Sequence, residues 1–332
     1  MSEKMKNEKA GTLLEVRGLK KYFPVRNGLF GTKPQWVKAV DGVDFSIEQG
    51  KTFGLVGESG CGKTTVGKCV LRIERATEGE VLYRGMDILK MKSKEFRAVR
   101  RDLEMIFQDP YGSIDPRQSV AGVLREAIVG DGKPHSDTQI RERTMELLGM
   151  VELPDFMMSR YPHEMSGGQR QRLGIARALA CKPSLIVCDE PVSALDVSIQ
   201  AQIINLFEDI QADLGLTYIF IAHDLSVVRH IADEIGVMYL GNLVEKMSSD
   251  ELYKRPLHPY TQALLSAVPV VNYHKERERQ RIVLQGEIPS PIHVPTGCPF
   301  HPRCPYAKDC CKKERPLLKL AENHHLVACH RV

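Results

Sequence analysis

No run of about 18 uninterrupted apolar residues occurs anywhere in the 332 positions, which leaves nothing long enough to cross a bilayer as a helix. Met1 to Ala10 is polar and lysine-bearing with no apolar stretch behind it, so the expectation is a chain made and kept inside the cell. Charge of one sign is scarce: the net value is +4 at pH 7, and the surplus lies in His274 to Val332, leaving the body neutral. That argues against a DNA-coating surface, and no nucleic acid partner is expected. The basic tail reads as a solvated face, with contact to anionic lipid or RNA as the alternatives. No internal repeat is visible. What remains, 42% hydrophobic and 27% charged residues, is ordinary globular material for one large domain and a small one.

Leu13 to Val16 and Val40 to Ile47 alternate as short strands do, and Thr52 to Val56 is an apolar run ending at a glycine-rich turn. Ser184 to Cys188 and Thr217 to Ala222 are further apolar runs, with the helical stretch Ile199 to Leu214 between them. Strands alternating with helices predict an α/β fold with a parallel sheet covered on both faces. Asp109 to Tyr161 lacks strand runs and has helical periodicity at Val120 to Ile128 and Thr138 to Leu148, so it reads as a helical insertion; Met247 to Val271 also reads as helix. His274 to Arg281 is a charge run, followed by seven prolines from Pro289 to Pro316. Such a tail is expected to be loop-dominated and to need something other than a core to hold it.

Gly57, Glu58, Ser59, Gly60, Cys61, Gly62, Lys63 and Thr64 fit G-x-x-x-x-G-K-[ST], between a strand and a helix starting near Lys63. The glycines let successive N–H groups point at phosphate oxygens, and the helix N-terminus adds partial positive charge. Lys63 would reach the β and γ phosphates and Thr64 would offer its hydroxyl to Mg²⁺. Cys61, at that helix start, is expected to be favoured as thiolate. Asp189 and Glu190 end the run Leu185 to Cys188, placing two carboxylates at the carboxyl edge of a buried strand, one for the Mg²⁺ shell and one for the attacking water. Ser166, Gly167, Gly168 and Gln169 open another helix and make a second anion-binding terminus about a hundred residues from the first. One phosphate group rarely needs two such cradles. The economical reading is a nucleotide sandwiched between two protomers.

With these residues the sequence resembles the ATP-binding cassette (ABC) family, whose LSGGQ signature appears here with Met165 in the leucine place. The resemblance covers roughly Leu13 to Lys246. It implies a P-loop NTPase (RecA-like) parallel-sheet core with an antiparallel β edge and a helical subdomain. It also implies that Gln108 is the Q-loop residue, Ser193 to Asp196 the D-loop, His223 the switch histidine, and Phe23 the adenine-stacking aromatic, with Tyr22 the runner-up. By the same match ATP and Mg²⁺ are the cofactors. Thr65 and Asp196 join the nucleotide site, Thr64, Gln108 and Asp189 hold the metal, and Glu190, His223 and Gln108 are catalytic. The segments Asp109 to Arg117, Pro191 to Gln202 and Arg255 to Pro269 resemble the ATPase subunits of bacterial oligopeptide and dipeptide importers, the F-type more than the D-type; Met165 and Asp115 depart mildly. Implied partners are a D-type ATPase in a heterodimer, two integral membrane permease subunits and an extracytoplasmic peptide-binding protein, at the cytoplasmic face of the bacterial inner membrane. The domain division expected is a flexible 1–10, a cassette at 11–246 with its helical subdomain at about 109–165, and a C-terminal domain at 247–332.

Four of the nine cysteines are scattered (Cys61, Cys69, Cys181, Cys188) and five crowd the last 35 positions (Cys298, Cys304, Cys310, Cys311, Cys329). In a reducing compartment a crowd reads as metal ligation before disulfides. Cys298, Cys304, Cys311 and Cys329, separated by six, seven and eighteen residues, fit neither a zinc ribbon nor a ferredoxin run, so zinc and an iron-sulfur cluster compete. The tail resembles that of the peptide-importer ATPases, some of which hold a [4Fe-4S] cluster, and this implies Cys311 rather than Cys310 as the ligand, with zinc as runner-up. The role expected is a structural clip. Three other functions compete: a nickel or other small-solute importer ATPase, a soluble ABC ATPase acting on nucleic acid or ribosomes, and a non-hydrolysing regulatory subunit, which Glu190 disfavours.

Overall fold

Thr52–Val56 carries no charged side chain and is buried along its whole length, as a strand covered on both faces must be; it is β3 of the chain. The computed structural model describes residues 11–25, 35–109, 112–130, 132–268, 281–322 and 324–332. Met1 to Ala10, Pro110, Tyr111, 269–271 and most of the charge run from His274 lie outside them. The chain divides into two compact units, one of residues 1–47, 52–89 and 222–332, the other of 48–51 and 90–221.

In the first unit β1 (Thr12–Val25) and β2 (Gln35–Glu48) are long strands joined in one sheet with β4 (Glu78–Tyr83) and β5 (Met86–Asp87). The β1 strand pairs antiparallel with β4, and β4 antiparallel with β5. The β3 strand pairs in parallel with β9 (Glu234–Tyr239), which turns back antiparallel into β10 (Asn242–Ser248). Phe45 and Phe53 stack at 4.5 Å between centroids, filling the core of this unit. Helix α1 (Lys63–Val70) follows the glycine-rich loop.

In the second unit β6 (Leu103–Ile106), β7 (Leu185–Asp189) and β8 (Thr217–Ala222) are parallel and buried. Between β6 and β7 run α3 (Val120–Val129), α4 (Asp137–Met150) and α5 (Gly167–Leu179). Each opens on a serine that accepts from a first-turn N–H, which is why Ser119, Ser136 and Ser166 set their boundaries. Helix α6 (Val197–Leu214) ends on Gly215, whose φ of 64° only glycine adopts without strain.

Two expectations fail in the C-terminal part. Met247 to Val271 is not one helical stretch: Met247 belongs to β10, and the rest, as far as it is described, divides into α8 (Ser249–Lys254) and α9 (Pro259–Ala267), separated where Pro256 and Pro259 fall. The tail does not lack a core. Its β12 (His325–Val327) pairs with β10 and with β11 (Lys319–Glu322), and Phe300 is buried against Tyr239 and Tyr260 with centroids 5.2 and 5.4 Å away. Aromatic edge-to-face packing holds the segment from inside the first unit.

Candidate nucleotide site

The phosphate loop runs from the end of β3 to the first turn of α1. Gly62 sits at φ 107°, and a Cβ there would lie 2.0 Å from the carbonyl oxygen of Ala39, so no other residue fits the turn. No side chain caps the N-terminus of α1, so its leading N–H groups face the loop uncapped. Lys63 is 5% exposed, and its ammonium donates to the carbonyls of Gly57 (2.8 Å) and Glu58 (3.1 Å) and approaches the Cys61 sulfur (3.9 Å). No carboxylate neutralises it among the described residues. A buried cation on neutral acceptors at a helix N-terminus that no side chain caps is suited to an anion such as the phosphates of a nucleotide. Ser59 and Gly60 are exposed, and Thr64 and Thr65 are half-buried in the first turn of α1.

Cys61 corrects an expectation. Its side chain is 5% exposed, and burial pushes its thiol up from the ordinary cysteine value despite the opposing pull of Lys63. Desolvation outweighs the helix N-terminus, so the group stays a thiol. Tyr22 is committed elsewhere: its hydroxyl donates to Asp41, which Arg315 also holds at 2.8 Å. Phe23, half-buried with the Lys21 ammonium 4.5 Å above its ring, is the freer aromatic for stacking.

In the second unit Asp189 is 4% exposed at the end of β7, and Glu190 follows at φ 46°, a left-handed backbone that residues other than glycine rarely hold. Its N–H donates to the Ile221 carbonyl (3.0 Å), and its carboxylate accepts from Gln108 Nε2 (2.7 Å). Two of the residues picked from sequence thus meet, with the carboxylate aimed by an amide. Ser166, exposed at the N-terminus of α5, forms a reciprocal capping box with Gln169, and the Met165 side chain before it is 3% exposed. A Cβ on Gly168 would lie 2.8 Å from Ile199 Cγ2, so α5 approaches α6 through the missing side chain. Ser193 donates to the Glu190 carbonyl at 3.1 Å, and Asp196 stands exposed at the N-cap of α6 next to Val197, which is 81% exposed. His223, exposed, is the first residue after β8.

Cys298, Cys304, Cys311 and Cys329 line one small pocket with His258, His301 and His330. Burial raises the thiols of Cys298, Cys304 and Cys329, and their mutual repulsion adds to it. Cys310 is exposed and outside the pocket. Among the described residues no three His, Cys, Asp or Glu are arranged to hold a metal ion. The four thiols share a pocket without forming a ligand cage.

Sequence reading missed Tyr260 and Arg303. The Tyr260 hydroxyl accepts from the Glu58 N–H at 2.9 Å, and the Arg303 guanidinium donates to both Glu58 oxygens at 2.7 and 3.0 Å. Nothing local marks either residue, since both lie more than 200 positions from the loop.

Residues 40–193 match the ABC transporter family model, and 244–311 match the oligopeptide/dipeptide transporter C-terminal region. The chain is 54% identical over 323 residues to the oligopeptide transport ATP-binding protein AppF of Bacillus subtilis (strain 168), covering 96% of this chain and 97% of that one. It is 48% identical to the oligopeptide transport ATP-binding protein OppF of Escherichia coli (strain K12), covering 96% of each. Among solved structures, a dimeric ATP-binding cassette in a post-hydrolysis state with ADP and Pi superposes with a TM-score of 0.63 at 27% identity, over 71% of this chain and 99% of that one. The chain belongs to the ABC transporter family, within the branch carrying the oligopeptide/dipeptide transporter C-terminal region.

Proposed function

We propose that the chain is the ATP-hydrolysing subunit of an oligopeptide or dipeptide importer, acting with membrane permease subunits and a peptide-binding protein at the cytoplasmic face of the inner membrane. Its likeness to peptide-transport ATP-binding proteins over 96% of its length, C-terminal region included, carries the reading. No described helix is long and apolar enough to cross a membrane. Lys63 and the N–H groups opening α1 bind the phosphates. Thr64, Gln108 and Asp189 would hold Mg²⁺, which supplies charge neutralisation at the β and γ phosphates when bound. Glu190 takes or orients the proton of the attacking water, with Gln108 fixing its carboxylate and His223 supporting the geometry. Phe23 stacks on the base.

Ser166 to Gln169 of one subunit, with its D-loop around Asp196, closes on the nucleotide of a second, D-type subunit. The exposure of Ser166 and Val197 supports this, and the matched cassette is itself described as dimeric. A groove of about 1040 Å³, lined by Arg97, Arg100, Arg101, Met105, Phe107 and Arg177, receives the permease segment. The four thiols Cys298, Cys304, Cys311 and Cys329 take a [4Fe-4S] cluster, with zinc as the alternative, and their shared pocket supports it. Iron, sulfide and zinc analysis of anaerobically purified protein tests this, and absence of both metals overturns it. For the main reading, Glu190→Gln in the reconstituted transporter retains ATP while hydrolysis and peptide uptake fall at least about a hundredfold. Unchanged hydrolysis would overturn the assignment.

A further inference from the structure

Every polar group of Glu58 is engaged. Its N–H goes to the Tyr260 hydroxyl, its carbonyl to Lys63 Nζ, and its carboxylate to the guanidinium of Arg303 in a two-pronged pair. Two of these three holds come from the C-terminal part of the chain. The Arg303 side chain is 8% exposed and that of Glu58 25%, so the pair is largely shielded from water and its planar geometry is selective. Arg303 also lies over the Tyr239 ring at 6.0 Å, and Tyr239 packs on Tyr260 and Phe300, so both hands on Glu58 share one aromatic support.

The backbone of Arg303 is equally determined. It closes a short turn, His301–Arg303, whose N–H groups donate from His301 to Cys298 and from Arg303 to Phe300, while Cys304 N–H donates to His301. Cys298 N–H in turn donates to the Cys311 carbonyl at 2.8 Å. The residue gripping the phosphate loop is thus suspended between two of the cysteines that line the thiol pocket. A second strut, Arg315 on Asp41 at 2.8 Å, ties the tail to the residue that holds Tyr22, the neighbour of Phe23.

We propose that Arg303 is a positioning residue of the nucleotide site: through Glu58 it lets the thiol-lined C-terminal segment hold the phosphate loop in the shape that receives ATP. The inference rests on the nucleotide reading of that loop. Arg303 touches no phosphate. Its effect is on how well Glu58, and with it the Lys63 ammonium hydrogen-bonded to the Glu58 carbonyl, is placed before ATP arrives. Losing the guanidinium lowers ATP affinity while leaving the chemical step with Glu190 intact.

The test measures binding of a fluorescent ATP analogue to the full chain, with the folded fraction fixed independently by thermal melting without nucleotide, and kcat and KM for ATP in the reconstituted transporter. Arg303→Gln and Glu58→Gln each raise Kd and KM about tenfold with kcat within twofold, and Arg303→Lys, keeping charge without the fork, falls between. The Glu58→Gln/Arg303→Gln double variant costs no more than either single change, because the two act as one pair. Affinity within twofold of the parent in Arg303→Gln, or additive losses in the double variant, would overturn the proposal. Lys63→Ala separates the two levels: if it still binds the analogue with parental affinity, the nucleotide reading of the loop fails, whatever Arg303 does.

Discussion

Glu245 in β10 is 0% exposed, and its carboxylate gathers the N–H of Leu257 (2.7 Å), the N–H of His258 (3.1 Å) and Nε2 of His325 (2.6 Å). It ties the turn before α9 and the strand β12 to the middle of the first unit. Glu245→Ala leaves two buried backbone donors without acceptors, at about 1–3 kcal/mol each, and strands His325, whose side chain is 2% exposed. The expected loss is about 2–6 kcal/mol, the sum over those two orphaned donors. Glu245→Gln keeps one acceptor oxygen and the side-chain volume, so it should cost about half as much. Urea unfolding followed by circular dichroism measures both, and limited proteolysis should show cleavage in the C-terminal segment appearing first. A midpoint shift for Glu245→Ala worth less than about 0.5 kcal/mol would refute the reasoning, because surface changes alone produce that much.

Cys61 should react with maleimide more slowly than the exposed Cys310 in the native chain at pH 7.5, as mapped by mass spectrometry; preferential labelling of Cys61 would contradict its burial. His258 accepts the Tyr260 N–H on Nδ1, and burial lowers its pKa from 6.5 to about 4, so the folded chain binds it neutral while the unfolded chain protonates it below 6.5. Its contribution is intact above pH 6.5 and lost as pH falls towards 4, by about 3 kcal/mol at most, and His258→Gln should flatten urea midpoints between pH 7 and pH 5. Gly168→Ala places a Cβ 2.8 Å from Ile199 Cγ2 and should cost about 1–3 kcal/mol, with Ile199→Ala in the same chain recovering part of it; parental stability in the single variant would show that the helices yield.

The bounds of β3 and β8 agree with the apolar runs Thr52 to Val56 and Thr217 to Ala222, because a fully buried strand declares itself by composition alone. Helices α3, α4 and α6 lie within a residue or two of their expected spans, since serine caps and periodicity are local signals. The strands β9 to β12 were not legible, because β10 finds β12 some eighty residues away, and neither strand shows its partner in its own pattern. The tail's proline content hid Phe300, which is buried only because Tyr239 and Tyr260 come to it. In the second unit the meeting of Gln108 with Glu190 was anticipated as two roles, but the left-handed backbone that aims the carboxylate is visible only in the fold.

The sequence by itself determined the anion-binding loop, the acid pair and the family, because each of those depends on contiguous residues whose backbone geometry is dictated by glycine, serine caps and helix starts. The tertiary structure alone decided that Cys61 is a buried thiol, that the Tyr22 hydroxyl belongs to Asp41, and that Arg303 grips Glu58. Desolvation and long-range pairing are properties of what surrounds a side chain, and those surroundings are assembled from residues far apart along the chain.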